Sequence, residues 1–426
     1  MKTKAIFGPP GTGKTRTLVD MANYTLKEQG RSVLFLSYTK AAAQEVTSRI
    51  EGSEKISAST AHAIAFRTLS MTKAMVVDRK KLYDFGKQTG FAFKGADDNM
   101  DEIQEGDEYL SVLSYANNRM VTIEEAYAHF GAPGTWPMFQ VFAQSYQSWK
   151  DAFGYMDFDD MLMRYVTSGS PAAQDCVFLD EAQDCSPLQW MAISRMCSQA
   201  KHVVIAGDDD QAIYEWNGAD PHGMISWVDN NKAQIKVLDQ SHRVPKIAHD
   251  LAHEVTLFKI GKRFHKNFNP RAHEGKFERY GDFNDIDVRS LYANGGGMVL
   301  ARDRYRLEEI KRGFNRDMIP YEVLGGGSPW TNRIAQELRR GGTPDIPLMW
   351  RDFYAQADLT LPINISLSTI HQAKGRESHR VLIDLTMPSR VLVSMYNDRD
   401  AELRVWYVAL TRTSDELIIC GENPVL

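Results

Sequence analysis

Short apolar runs alternate with stretches of helical period along both ends of this chain. Residues 5–7, 33–36, 176–179 and, in the predicted strand 202–206, everything after His202 are continuous apolar runs, each closed by glycine, serine or acidic residues. Such runs, without polar alternation, predict strands of a parallel sheet that is covered on both faces. Between them, residues 17–28 and the alanine-rich residues 40–50 carry helical spacing. Strand, glycine-rich loop, helix, strand, helix is therefore the predicted opening, an α/β arrangement.

From about residue 70 to residue 166 the pattern changes. The period is helical, aromatic and methionine residues are frequent, and no buried-strand run occurs. Seven carboxylates fall between Asp97 and Glu108, which reads as a solvated surface. A second αβ pattern begins near residue 237, with strands predicted at 297–301, 321–324, 363–367, 381–385 and 417–420. Two glycine-proline clusters, at 325–329 and 341–344, punctuate a short polar excursion before residue 363. The predicted organisation is a first αβ domain over 1–69 and 167–236 carrying a helical insertion, 70–166. A second spans 237–327 and 362–426 with a very small insertion, 328–361.

Composition narrows the class. With 43% hydrophobic and 25% charged residues, the chain can bury ordinary globular cores. A formal charge of −5 excludes a polybasic protein that binds nucleic acid through bulk charge, but says nothing about a local basic channel. Cys176, Cys185, Cys197 and Cys420 show no CxxC pair or His/Cys metal spacing, so free thiols in a reducing compartment are expected. The glycine-rich loop starts by residue 8, leaving no room for a signal peptide, and no uncharged run approaches the ~20 residues of a membrane span. The expectation is a soluble, cytoplasmic protein with no membrane association.

Gly8-Pro-Pro-Gly11-Thr12-Gly13-Lys14-Thr15 satisfies GxxxxGK[ST] directly after a predicted strand and before a predicted helix. In such a loop backbone N–H groups approach phosphates, Lys14 reaches the β/γ-phosphates, and the Thr15 hydroxyl coordinates Mg²⁺. A phosphate loop needs an acidic partner at the end of a neighbouring strand, and Asp180-Glu181-Ala-Gln183-Asp184 supplies one. Asp180 is expected to hold Mg²⁺ through water, and Glu181 to orient and deprotonate the attacking water. ATP and Mg²⁺ are the expected cofactors.

The loop alone leaves the family open, since ring-forming ATPases that act on proteins use the same string. The later motifs decide. Asp180–Asp184 followed by Gly207-Asp-Asp-Asp-Gln211-Ala-Ile-Tyr214-Glu-Trp216 resembles motifs II and III of UvrD/Rep/PcrA-type superfamily 1 DNA helicases. In order, Tyr38-Thr-Lys-Ala-Ala-Ala resembles motif Ia, Ser-Thr60-Ala-His62 Ib, and Gln240-Ser-His242-Arg243 IV. Thr369-Ile-His371-Gln-Ala-Lys-Gly-Arg-Glu377 resembles V, and Val405 to Arg412 resembles VI. Tyr155-Met-Asp157-Phe158-Asp-Asp160 is similar to the family's segment returning from the helical insertion.

The resemblance implies two RecA-like phosphate-loop domains with ATP hydrolysed at the cleft between them, and movement along single-stranded DNA in the 3′–5′ direction. It implies that Gln211 senses the γ-phosphate, that Arg243 and Arg412 act as arginine fingers, and that Glu377 contacts the ribose. Arg16 and His242 are implied nucleotide contacts. Tyr38, Thr60, His62, Tyr214, Trp216, Thr369 and His371 are implied nucleic-acid contacts. Tyr214 and Trp216, two residues apart beside a glycine turn, suit base stacking, which contributes ~1–3 kcal/mol per base and tolerates any sequence.

The chain departs from the family pattern in four places. No adenine-reading stretch precedes the phosphate loop; His242 stands where tyrosine is usual; Asn217 stands where arginine is usual; and the second insertion is confined to 328–361. As part of the last departure, the resemblance implies a strand-separating hairpin where this sequence has 14 residues after Arg412, so unwinding machinery that is replaced, weak or supplied by a partner is expected. The expected protein is thus a stripped-down translocase or helicase. Its alternatives are an ATPase that remodels protein–DNA complexes without unwinding, or a subunit of a larger repair or replication complex whose partner supplies unwinding or loading.

Overall fold

The computed structural model describes residues 1–50, 55–94, 104–131 and 134–423. They form two compact units. The first holds Met1–Pro9, Gly13–Leu238 and Phe264–Lys266, and the second holds Pro10–Thr12, Asp239–Arg263 and Asn267–Leu426.

The first unit is built on a six-stranded sheet of β1 (Lys2–Phe7), β2 (Val33–Leu36), β3 (Ile56–Ser59), β4 (Cys176–Leu179), β5 (His202–Gly207) and β6 (Gln234–Val237), in the order β3-β2-β4-β5-β1-β6. Every pairing is parallel. Alternate residues along the central strands serve opposite faces. Ala5, Phe7, Leu34, Leu36, Val177 and Leu179 enter one core. Ile6, Val33, Phe35, Cys176 and Phe178 enter the other, against Leu18, Ala22 and Leu26 of the helix Lys14–Lys27. Both faces being covered is why these strands read as unbroken apolar runs.

The expected central strands are present, while β3 and β6 escaped the sequence reading. Both are edge strands; β6 is exposed along its whole length and its sequence, Gln-Ile-Lys-Val, has no apolar run to find. Register places Phe7 beside Gly207, and Leu179 beside Ile205. The segments that follow β1, β4 and β5 therefore leave the sheet at its carboxyl edge, where open α/β sheets bind ligands.

Within residues 70–166 the described part is helical, with a core of its own in which Leu82, Phe85, Tyr109, Phe142 and Trp149 meet. The helix Phe158–Ser168 behaves differently: Met161, Leu162 and Tyr165 pack into the sheet's core. Of the acidic stretch, residues 97–103 lie outside the described residues. Glu105, Asp107 and Glu108 occupy the first turn of the helix Glu105–Arg119, where carboxylates favour the positive end of the helix dipole.

The second unit carries β7 (Lys276–Tyr280), β8 (Gly297–Ala301), β9 (Glu322–Val323), β10 (Ile365–Thr369), β11 (Ser378–Asp384) and β12 (Thr413–Cys420), all parallel, in the order β7-β12-β11-β8-β10-β9. β7, an exposed edge strand reading Lys-Phe-Glu-Arg-Tyr, was not anticipated. The polar excursion contributes to this unit's interior: Trp330 and Phe353 are buried in one cluster with Val299, Leu367 and Ile418. All four cysteines are buried free thiols. Among the described residues no helix is long and apolar enough to cross a membrane.

Candidate nucleotide and nucleic-acid site

The turn after β1 takes its shape from glycine. Gly11 and Gly13 hold φ of 75° and 79°, and Gly13 caps the helix Lys14–Lys27. Left-handed backbone of this kind is costly for residues with a Cβ. A Cβ on Gly11 would also lie 2.5 Å from Arg243 Cβ and 2.7 Å from Ser241 Oγ. Ser241 Oγ donates to Pro10 O at 2.8 Å, and the His242 N–H donates to Gly11 O at 2.9 Å. The Lys14 ammonium donates to Gly8 O at 2.6 Å. Thr12 is buried, whereas Arg16 is exposed beside Asp20.

Asp180 leaves the end of β4 already buried. The Thr15 hydroxyl donates to its carboxylate at 2.6 Å, and the Glu181 N–H donates to its other oxygen at 3.0 Å. Burial, then the charge of Glu181, pushes the Asp180 carboxyl up to about 6, against the opposing influence of Thr15 and Lys14. A hydroxyl and a crowded carboxylate this close are hard oxygen donors of the kind that suit a divalent cation such as Mg²⁺. Glu181 itself sits at φ 54°, an uncommon backbone for a non-glycine residue, costing on the order of 1–2 kcal/mol.

From Glu181 a chain of buried polar groups runs to the turn after β5. Gln183, wholly buried, donates from Nε2 to the Glu181 carboxylate and accepts from the Asp208 N–H at 3.0 Å. The Asp208 carboxylate accepts from Gln211 Nε2 at 2.6 Å. Gln183 lay inside a recognised motif, yet spacing alone could not show that it joins the two acidic turns.

Beyond this chain lie the expected nucleic-acid residues of the first unit. Tyr38, Thr60 and His62 line one small pocket with Ser37, Cys185 and Gln189. The Tyr38 ring stacks on Tyr214, with centroids 5.7 Å apart and planes 10° from parallel. Burial and then Asp184 push the Tyr38 phenol up to about 12, so it stays protonated at neutral pH. Burial pulls His62 down to about 4, so it offers a neutral ring, edge-on to Phe158 at 5.6 Å. The Thr60 hydroxyl caps the helix Ala61–Thr68 by accepting from the Ala63 N–H at 3.2 Å. Trp216 is 58% exposed, far more than a core tryptophan.

The turn that presents Trp216 is braced from the helical insertion, which motif reading missed. Asn118 donates to the Asp159 carboxylate and accepts from the Ser186 hydroxyl, each at 2.8 Å. Gly218 (φ 88°) closes the turn so tightly on Asn118 that a Cβ would meet Asn118 Cβ at 2.6 Å. Next to it, Arg119 donates to Ala219 O at 3.1 Å.

In the second unit, Arg243 forms an ion pair with Glu377, the residue the resemblance assigns to the ribose. Arg412 is only 1% exposed; its guanidinium donates to Val408 O at 2.8 Å and Arg376 O at 3.3 Å, as a buried donor array must. Thr369 ends β10 and its hydroxyl bonds Gln372 Oε1 at 3.3 Å. His371 follows it, half-buried, and His242 is exposed.

Residues 2–232 match the UvrD/REP helicase N-terminal domain, and residues 355–423 match the UvrD-like helicase C-terminal domain. The chain is 25% identical over 384 residues to the ATP-dependent DNA helicase PcrA of Bacillus subtilis, covering 79% of this chain and 50% of that protein. It is 25% identical over 375 residues to PcrA of Staphylococcus aureus and 23% identical over 375 residues to PcrA of Staphylococcus epidermidis, covering 78% of this chain and 50% of each relative. It thus spans about half the length of the curated relatives it matches. With the glycine-shaped loop and the paired acidic turns both lying inside residues 2–232, which the N-terminal family model matches, the chain belongs to the UvrD/REP helicase family.

Proposed function

We propose that this protein is an ATP-dependent translocase or helicase acting on single-stranded DNA in the 3′–5′ direction. The observation that carries the reading is the polar chain Glu181–Gln183–Asp208–Gln211, which begins beside the Thr15–Asp180 pair and ends on the turn bearing Tyr214 and Trp216. Such a chain gives nucleotide hydrolysis a physical route to a base-stacking surface.

In this reading the phosphate-loop N–H groups and Lys14 hold the β- and γ-phosphates, and Gln211 reads the γ-phosphate. Glu181 orients the attacking water and takes its proton, while Arg243 and Arg412 supply positive charge to the γ-phosphate. Thr15 and Asp180 would hold Mg²⁺, which screens phosphate charge during transfer. Tyr38, Thr60, His62, Tyr214 and Trp216, with Thr369 and His371, contact DNA without reading its sequence. For Arg243, Arg412 and Glu377, the proposed roles require each to exchange its present partners for nucleotide.

The test is ATP turnover with single-stranded DNA, duplex DNA and RNA, alongside strand release from forks with a 3′ or a 5′ tail. Turnover stimulated by single-stranded DNA and lost in Lys14→Ala and Glu181→Gln is expected, with release from 3′-tailed forks. Turnover indifferent to nucleic acid would refute the reading. Strong DNA-stimulated turnover without strand release would favour remodelling of protein–DNA complexes instead.

A further inference from the structure

We propose that Lys266 is a positioning residue for nucleotide hydrolysis: by clamping the three consecutive carboxylates Asp208, Asp209 and Asp210, it fixes the orientation of Gln211. The inference rests on the ATP-hydrolysis reading above and adds to it a group outside every recognised motif.

The side chain of Lys266 has no exposed surface, and its ammonium lies 2.9 Å from Asp208, 2.7 Å from Asp209 and 2.6 Å from Asp210. The lysine arrives on a three-residue strap. The Phe264 N–H donates to the other oxygen of Asp209 at 2.6 Å, and the Phe264 ring stacks on Phe7, with centroids 4.1 Å apart. Phe7 is the last residue of β1, directly before the phosphate loop. The strap, Phe264–Lys266, belongs to the first unit although its sequence neighbours on both sides belong to the second.

Charge explains why a lysine is needed. Carboxylate oxygens of the three aspartates all lie within 4.8 Å of one another. Three acidic groups so close and so buried repel strongly unless a cation sits among them. An acidic triad of this kind could hold a metal ion, but here the ammonium takes that place. Burial works against the ammonium's charge, yet the three carboxylates together outweigh it and raise the lysine's pKa above its ordinary value.

The functional consequence runs through the Asp208 carboxylate. One of its oxygens accepts from Lys266, and from the Asp210 N–H at 3.4 Å, and the other accepts from Gln211 Nε2. Without the ammonium that carboxylate keeps only the longer Asp210 bond on its far side, and the Gln211 amide loses its fixed reference. The phosphate loop is not part of this chain, so nucleotide binding and nucleotide turnover should separate.

The experiment uses the full chain with ATP at saturating single-stranded DNA. Lys266→Met is expected to lower kcat at least about tenfold, with the Kd of a fluorescent ATP analogue changed by no more than about threefold. Lys266→Arg, which keeps the charge, is expected to restore part of kcat. If the single variant does not fold, Lys266→Met combined with Asp209→Asn and Asp210→Asn removes the repulsion but not the defect in orientation, so low kcat with near-normal ATP binding is still expected. A folded Lys266→Met, or a folded triple variant, with normal kcat would overturn the inference while wild-type turnover left the ATPase reading intact. A fall in ATP binding equal to the fall in kcat would also overturn it, as a merely structural role. No turnover by the wild type would sink the ATPase reading, and this inference with it.

Discussion

Replacing Gln183 by methionine tests whether the buried polar chain carries chemistry or only holds two turns together. Methionine nearly conserves the volume of this wholly buried side chain, so little cavity is created. Two interactions disappear: acceptance from the Asp208 N–H at 3.0 Å and donation to the Glu181 carboxylate. The first loss strands a buried N–H, at ~1–3 kcal/mol of stability. The second removes a charge-assisted hydrogen bond of ~1.5–3 kcal/mol that orients Glu181. If that bond serves mainly the transition state, one decade of rate per ~1.4 kcal/mol gives a fall in kcat of roughly 10- to 150-fold. The first term should lower the melting temperature by several degrees. The assay is steady-state ATP hydrolysis at saturating single-stranded DNA with ATP varied, beside a thermal melt. A kcat within twofold of wild type, in a variant whose melting temperature has dropped, would show that the chain is structural and refute the reasoning.

Other perturbations separate the remaining parts of the site. Gly11→Ala must adopt φ 75° and place its Cβ 2.5 Å from Arg243 Cβ, so a thermal melt should show the fold destabilised by more than ~1 kcal/mol; an unchanged melting temperature would contradict the tight fit of this turn. Trp216→Ala should raise the Kd for single-stranded DNA roughly 5- to 150-fold, the worth of ~1–3 kcal/mol of stacking, read by fluorescence anisotropy; an unchanged Kd would remove Trp216 from the interface. Asp159 offers a test with pH. Burial and the charge of Asp157 raise its carboxyl to about 6 from 3.8, so ionising it costs the folded state more than the unfolded one. That penalty is absent below about pH 3.8, grows as pH rises, and is complete above about 6. Asp159→Asn should therefore raise the melting temperature at pH 7 and lose the advantage as pH falls toward 4; an equal gain at both pH values would contradict the assignment.

Much of the candidate site is legible because its chemistry is local. A phosphate loop needs glycines, a lysine and a hydroxyl within eight consecutive residues, and the acidic partner needs only a strand end in front of it. Buried central strands announce themselves as apolar runs for the same reason: both faces of β1, β2, β4 and β5 are covered. β3, β6 and β7 were illegible because edge strands are under no such demand. Trp330 and Phe353 sit in a stretch whose polar, glycine-rich composition suggested an insertion, yet they complete the interior around β8 and β10.

The sequence by itself determined the two αβ patterns, the candidate phosphate loop, its candidate acidic partner and the ordered motifs that mark the family, since each depends on residues adjacent in the chain. Only the tertiary structure decided what meets across it. Lys266 enters the triad Asp208–Asp210 from more than fifty positions away, and Asn118 braces Gly218 from the helical insertion. No periodicity marks either residue, because what selects them is the need of buried charge and buried backbone for a partner, wherever in the chain that partner lies.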